Sequence, residues 1–103
     1  MSSKKSAYDI LEIAPGADDA EIRRAYRRLA GQAHPDRHDA SADANERFLQ
    51  IKAAYEVLID PERRAAHDRD PEGVLAAEQY SERRRAQLRR RRSRLRKLYD
   101  DRG

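Results

Sequence analysis

The sequence predicts an all-α fold in which two antiparallel helices form a hairpin, braced by a short helix on either side and followed by a basic helical extension. Charged residues make up 41% of the 103 residues, and alanine, arginine, glutamate and leucine, which favour helices, dominate. Two long segments carry apolar residues at alternating steps of four and three, which is the period of an amphipathic helix. Because only 38% of the chain is hydrophobic, we expect one small core rather than a core spread over the whole length.

Composition also narrows the classes of protein to consider. The chain has no cysteine, which excludes disulfides and thiolate chemistry, and no run approaches the ~20 apolar residues of a membrane span. The start of the sequence does not resemble a signal peptide, so we expect a cytoplasmic location. Residues 1–68 have a net charge of −2 and residues 69–103 of +6, which places the basic character in the C-terminal part.

The first two helices have clear start signals. Ser6 can cap a short helix that ends at the Ala14-Pro15-Gly16 turn, and Asp18 with Glu21 predicts the start of the second. The apolar stripe of the second helix consists of Ile22, Tyr26, Leu29 and Ala33. The opposite side carries Arg23, Arg24, Arg27 and Arg28. This helix therefore has one face for a core and one cationic face.

A third helix is expected to begin near Ser41 or Asp43. Its apolar positions are Ala44, Phe48, Ile51, Tyr55 and Leu58. Asp60 and Pro61 predict the start of a short fourth helix, since aspartate caps helices and proline suits the first helical position. We expect a joint over residues 69–73 and an extension over residues 74–103.

Between the second and third helices lies His34-Pro35-Asp36, with His38 close by. Zinc sites use three or four closely held ligands, and no further ligand stands near these three polar side chains. A catalytic role is equally poorly supported, because the chain has neither a nucleophile on a strand-to-helix turn nor a glycine-rich phosphate loop. The possibility that these residues only form a solvated turn remains open. A docking role fits better, since the cationic helix leads into a stiff bend that displays the anionic Asp36.

The chain resembles the J-domain of the DnaJ-type, or forty-kilodalton heat-shock, co-chaperones over residues 6–68. The segments that carry the resemblance are "YDILEIAPGADDAEIRRAYRRLAGQAHPDR" and "FLQIKAAYEVLIDPERRAAHD". The resemblance implies binding to the ATPase domain and linker of a DnaK-type chaperone and stimulation of its ATP hydrolysis, which aids a client protein. It implies no enzyme activity, cofactor or metal in the chain itself, and we expect a monomer.

The resemblance also implies a partner-binding surface. His34, Pro35 and Asp36 match the signature loop of the family, and Arg37 matches a basic position just after it. The helix II surface is matched by Tyr26, Arg27 and Arg23, and Arg24 belongs to the same cationic face. Several positions depart from the family pattern: Gly31, Gln32, Ala33, His38 and His67. We expect the first three to loosen the end of helix II, and His67 to cost packing where tyrosine is usual.

The resemblance does not cover residues 74–103, and the layout resembles the minimal type III co-chaperones. Residues 83–97 are rich in arginine, which suits nucleic acid, an anionic membrane or an acidic protein. A weak heptad pattern, which favours helix pairing, comprises Val74, Ala77, Leu88, Leu95 and Leu98. A solvated or partly disordered segment stays open, as does the alternative that the chain is a basic nucleic-acid- or ribosome-associated protein with a J-like scaffold. We expect removal of residues 74–103 to keep most chaperone stimulation.

Overall fold

Five helices follow one another in the computed structural model, which describes residues 5–33 and 42–100. Their bounds are α1 Ala7–Leu11, α2 Asp19–Ala33, α3 Ala42–Ile59, α4 Pro61–Arg69 and α5 Pro71–Asp100. No strand occurs within these two ranges, which confirms the predicted all-α class. No helix in the described part of the chain is both long and apolar enough to cross a membrane.

The predicted cap residues begin three of the helices. Ser6 and Asp9 form a reciprocal capping box, in which the Asp9 amide donates to the Ser6 hydroxyl at 3.3 Å and the Ser6 amide to the Asp9 carboxylate at 3.0 Å. The Asp18 carboxylate accepts from the Glu21 amide at 2.9 Å. Asp60 caps α4 in the same way, accepting from the Glu62 amide at 2.9 Å. Each cap satisfies a backbone donor that the first turn leaves unpaired.

The hairpin of α2 and α3 supplies most of the core. On α2, Ile22, Leu29 and Ala33 are buried as the stripe predicted, whereas Tyr26 is half-buried. On α3, Ile51 and Leu58 are buried. Helix α2 continues through Gly31 and Gln32 to Ala33, so the glycine does not shorten it.

Helix α3 occupies the centre of the fold, because it contacts each of the other four helices. Ala53, Ala54 and Val57, which lie outside its predicted stripe, are fully buried. The burial therefore extends around more of α3 than the sequence pattern indicated. A helix with neighbours on several sides needs small or apolar residues on each of them.

A polar cluster joins α1 to α4. The Ala7 amide donates to His67 Nε2 at 3.1 Å, and the Tyr8 hydroxyl donates to Asp68 at 2.8 Å. Arg64 donates to the Tyr8 hydroxyl at 3.0 Å and reaches two carbonyls of the α1–α2 loop. His67 is 1% exposed and packs edge-on against the Tyr8 ring. The His67 ring is therefore well packed and hydrogen-bonded here, while its cost relative to tyrosine stays a prediction.

Helix α5 departs most from the sequence predictions. It begins at Pro71, so a single residue, Asp70, separates it from α4 where we predicted a joint over residues 69–73. Of the predicted heptad positions, Val74 packs against the core, but the others described do not. Leu75 and Glu82 are buried, whereas Ala77, Leu88 and Leu95 are exposed. The predicted stripe was therefore wrong at Ala77, Leu88 and Leu95, because charged side chains supply part of the packing face.

Candidate functional site

A cationic surface covers the side of α2 that faces away from the core. Arg23, Arg24, Arg27 and Arg28 are all exposed. Their spacing places them in two adjacent rows along the helix, each a pair four residues apart. No carboxylate of the described residues forms an ion pair with any of these four side chains. We call this surface the α2 arginine face; its charge remains open to a partner.

The architecture of α2 explains why these side chains point outwards. Ile22, Ala25 and Leu29 bury the opposite side of the helix against the core, which fixes the rotation of α2 about its axis. At 100° per residue, the arginines then lie on the solvent side. Acidic residues in the first turn, Asp19 and Glu21, complement the positive N-terminal end of the helix.

Tyr26 lies at the edge of this surface. Its ring stacks on Tyr55 of α3 with 4.3 Å between the centroids and 22° between the planes. Burial is the main cause that raises the pKa of Tyr26, and the nearby Glu56 carboxylate raises it further. The phenol therefore stays neutral at physiological pH. Tyr26 is both part of the packing between α2 and α3 and a half-exposed neighbour of Arg23.

The remaining predicted site residues follow α2 directly. His34, Pro35, Asp36 and Arg37 lie outside the described residues, so their arrangement stays a prediction. Helix α2 ends at Ala33, whose side chain is 5% exposed and anchored in the core. The motif is therefore attached to the end of the helix that carries the α2 arginine face.

The described residues contain no group of three histidine, aspartate or glutamate side chains able to hold a metal ion. His67 is engaged in the buried cluster between α1 and α4. Its Nε2 accepts the Ala7 amide and its Nδ1 lies 3.3 Å from Asp68.

A second charged region, which sequence reasoning described only as an arginine-rich tail, fastens α5 to the hairpin. Glu82 is 0% exposed and lies 3.4 Å from the Lys52 ammonium of α3, and Arg85 also contacts its carboxylate. Arg83 pairs with Glu46 of α3, and this guanidinium holds the pKa of the Glu46 carboxyl below its usual range. One signal in the sequence could have indicated this contact. Glu78 and Glu82 follow Leu75 at helical spacing and so share its side of α5, although both residues are charged.

Fold and surface together define a small helical hairpin domain with a basic face on its first long helix. The family model for the DnaJ domain matches residues 6–68, which is more than half of the chain. The chain belongs to the DnaJ domain family. The resemblance stated from the sequence is thereby confirmed.

Two curated relatives illustrate the similarity. The chain is 58% identical over 62 residues to the chaperone protein DnaJ of Acidithiobacillus ferrooxidans, covering 60% of this chain and 16% of the relative. It is 49% identical over 67 residues to the chaperone protein DnaJ of Bordetella petrii, covering 65% of this chain and 18% of the relative. The match thus spans less than a fifth of the length of these relatives.

A solved structure shows the same fold. The J-Trx1 fragment of ERdj5 matches with a TM-score of 0.62 and 35% sequence identity, over 66% of this chain and 33% of that fragment. The family model ends at residue 68, before α5 begins at Pro71, so the comparison with the family gives no account of that helix.

Proposed function

We propose that this chain is a co-chaperone that docks on the ATPase domain and linker of a DnaK-type chaperone and stimulates its ATP hydrolysis. Membership of the DnaJ domain family supports the partner class. The observation that carries the proposal is the α2 arginine face: four exposed guanidinium groups without carboxylate partners among the described residues, on the helix that leads into His34-Pro35-Asp36.

The physical basis is electrostatic recognition followed by a bias in the partner. An exposed cationic face accelerates the encounter with an acidic surface, and this acceleration weakens as the salt concentration rises. Asp36 offers one anion to a cation on the chaperone. Stimulation requires that the chain bind the hydrolysis-competent state of the chaperone more tightly than its other states. The chain itself carries out no chemistry in this mechanism.

The test measures single-turnover ATP hydrolysis by a DnaK-type chaperone as the concentration of this protein is raised. We expect stimulation by the intact chain and none by Asp36→Asn, which removes the charge at nearly constant size. The quadruple variant Arg23→Gln, Arg24→Gln, Arg27→Gln and Arg28→Gln is expected to raise the concentration for half-maximal stimulation about 10- to 30-fold, since each exposed charge contributes about 0.5 kcal/mol.

The matched control removes the same four charges from α5, in the variant Arg89→Gln, Arg90→Gln, Arg91→Gln and Arg92→Gln. We expect this control to stimulate like the intact chain. Absence of stimulation by the intact chain with several DnaK-type chaperones would refute the proposal. Equal losses in both quadruple variants would show that net charge, rather than the α2 arginine face, drives docking. The proposal keeps the cytoplasmic location and monomeric state that the sequence predicts, and assistance to a client protein belongs to it.

A further inference from the structure

The second half of α5 lies beside the first half of α3 across an open groove, which is lined by Phe48 and Leu49 of α3 and by Arg89, Arg90 and Arg94 of α5. Every residue from Gln87 to Arg96 is exposed. This segment, which we call the arginine segment, contains six arginines and no acidic residue. Its arginines are Arg89, Arg90, Arg91, Arg92, Arg94 and Arg96.

These six guanidinium groups differ from the arginines just before them. Arg83 and Arg85 are paired with the carboxylates that fasten α5 to the rest of the fold. None of the six forms an ion pair with a carboxylate of the described residues. Several are three or four residues apart, as in Arg90 with Arg94 and Arg92 with Arg96, and like charges at this spacing destabilise a helix. A polyanion would relieve this repulsion.

The geometry points to a ligand that presents negative charge to both flanks of the exposed side of the helix. The side of α5 that faces away from α3 carries Leu88 and Leu95. At 100° per residue, Arg91 and Arg92 lie on the two flanks of this side. Ten helical residues are about 15 Å long, and a helix with its side chains is about 10–12 Å wide. The major groove of B-form DNA is about 12 Å wide and has phosphates along both walls.

We propose that the arginine segment binds double-stranded DNA in the major groove, through its phosphates and without strong sequence preference. The arginines on opposite sides of the helix would each reach one phosphate wall. Arginine is suited to this role because its planar guanidinium binds phosphate oxygens in a bidentate manner. This inference goes beyond the co-chaperone function and does not depend on it, because it involves a different helix.

Other partners fit the segment less well. A helix that lies on a membrane needs a broad apolar face, whereas the apolar side here consists of Leu88 and Leu95, seven residues apart and flanked by Arg91 and Arg92. A second copy of the helix would bring arginine against arginine. Single-stranded nucleic acid is favoured by exposed aromatic rings, and the described part of the segment has none. The deep, narrow major groove of an RNA duplex does not admit side chains in this way.

The experiment measures fluorescence anisotropy of a labelled 20-base-pair DNA duplex with the full chain at 50 to 200 mM salt. We expect affinity to fall about 10²-fold over this range if four phosphate contacts form, since each contributes about −0.9 to the slope of log affinity against log salt. The Arg89–Arg92 glutamine variant should bind at least 10-fold more weakly with a shallower slope. The same four positions changed to lysine should stay within about threefold of the intact chain.

The control is the quadruple glutamine variant of Arg23, Arg24, Arg27 and Arg28, which loses the same charge from α2 and should keep DNA affinity within about threefold. Circular dichroism checks that α5 stays helical, which glutamine supports. An equal loss in the two glutamine variants would overturn the proposal. So would tighter binding to single-stranded DNA, to duplex RNA or to vesicles with anionic lipid, equal competition by polyglutamate, or self-association through α5 in sedimentation. ATPase stimulation in the same variants reports separately on the co-chaperone function.

Discussion

His67 of α4 connects this helix to α1, the first helix of the fold. Its imidazole accepts the Ala7 amide through Nε2, so the ring supplies the acceptor that a buried amide at the start of α1 requires. The neighbouring Asp68 and Arg64 hold the Tyr8 hydroxyl from two sides. A single turn of α4 thus fixes the position of α1, which in turn covers part of α3.

Replacing His67 by phenylalanine tests this contact with a somewhat larger aromatic ring that cannot accept a hydrogen bond. The ring would still fill its place beside Tyr8, but the Ala7 amide would lose its acceptor while buried. We expect His67→Phe to lower the free energy of unfolding by about 1–3 kcal/mol, the usual cost of an unsatisfied buried donor. Urea unfolding followed by circular dichroism measures the change.

Tyr8→Phe is the matched control for that variant. It removes one hydroxyl from the same cluster, where Asp68 and Arg64 can form hydrogen bonds with water instead. We expect the free energy of unfolding to fall by at most about 1 kcal/mol. If His67→Phe proved as stable as the intact chain, the hydrogen bond to Ala7 would have no net effect on folding.

At the level of elements, charged side chains help to fasten α5 to the rest of the fold. Leu75 enters the core, but one turn and two turns further on the inward positions are Glu78 and Glu82. Glu82 is fully buried with Lys52 at 3.4 Å, longer than an ordinary charge-assisted hydrogen bond. Burying such a carboxylate is costly, and its partners offset the cost only in part.

A double-mutant cycle separates these two terms. Lys52→Met removes one partner and leaves the buried Glu82 carboxylate with Arg85 alone, so we expect a loss of about 1–3 kcal/mol in the free energy of unfolding. Glu82→Met removes the buried charge itself and is expected to be neutral or stabilising. The double variant should resemble Glu82→Met, and thermal or urea unfolding of all four proteins measures the coupling. A double variant as unstable as Lys52→Met would contradict this interpretation.

The same contrast explains how far the sequence could predict the fold. Stripes such as Ile22, Leu29 and Ala33, and caps such as Asp18 and Asp60, are local signals, and the structure confirms them. The packing face of α5 is not a local signal, because a buried Glu82 looks like part of a solvated face until its partner Lys52 is placed opposite. The α2 arginine face could be predicted from spacing alone, whereas the arrangement of the loop that carries Asp36 lies outside the described residues and remains a prediction.

At the scale of the whole molecule, α5 makes the shape elongated. The principal extents are 53 × 30 × 25 Å, and the radius of gyration of 15.8 Å exceeds the ~13 Å of a compact domain of this length. The two cationic surfaces, the α2 arginine face and the arginine segment, belong to different helices that are joined through α3. The first half of α5 belongs to the core, since Leu75 is 5% exposed. The second half lies beside the first half of α3, and its side chains from Gln87 to Arg96 are exposed.

Two truncations of α5 are therefore expected to differ in their effect on the free energy of unfolding. A chain that ends after Ala86 keeps Leu75, Glu82 and the contacts of Arg83, and we expect its free energy of unfolding to stay within about 0.5 kcal/mol of the full chain. A chain that ends after Asp70 removes Leu75 from the core and uncovers part of α3, at a cost of about 2–4 kcal/mol. Urea unfolding compares the two truncated chains. The expectation that removal of residues 74–103 keeps most chaperone stimulation stays a prediction. The chain that ends after Ala86 should also keep chaperone stimulation while losing DNA binding. If it proved as unstable as the chain that ends after Asp70, the arginine segment would contribute to the stability of the fold.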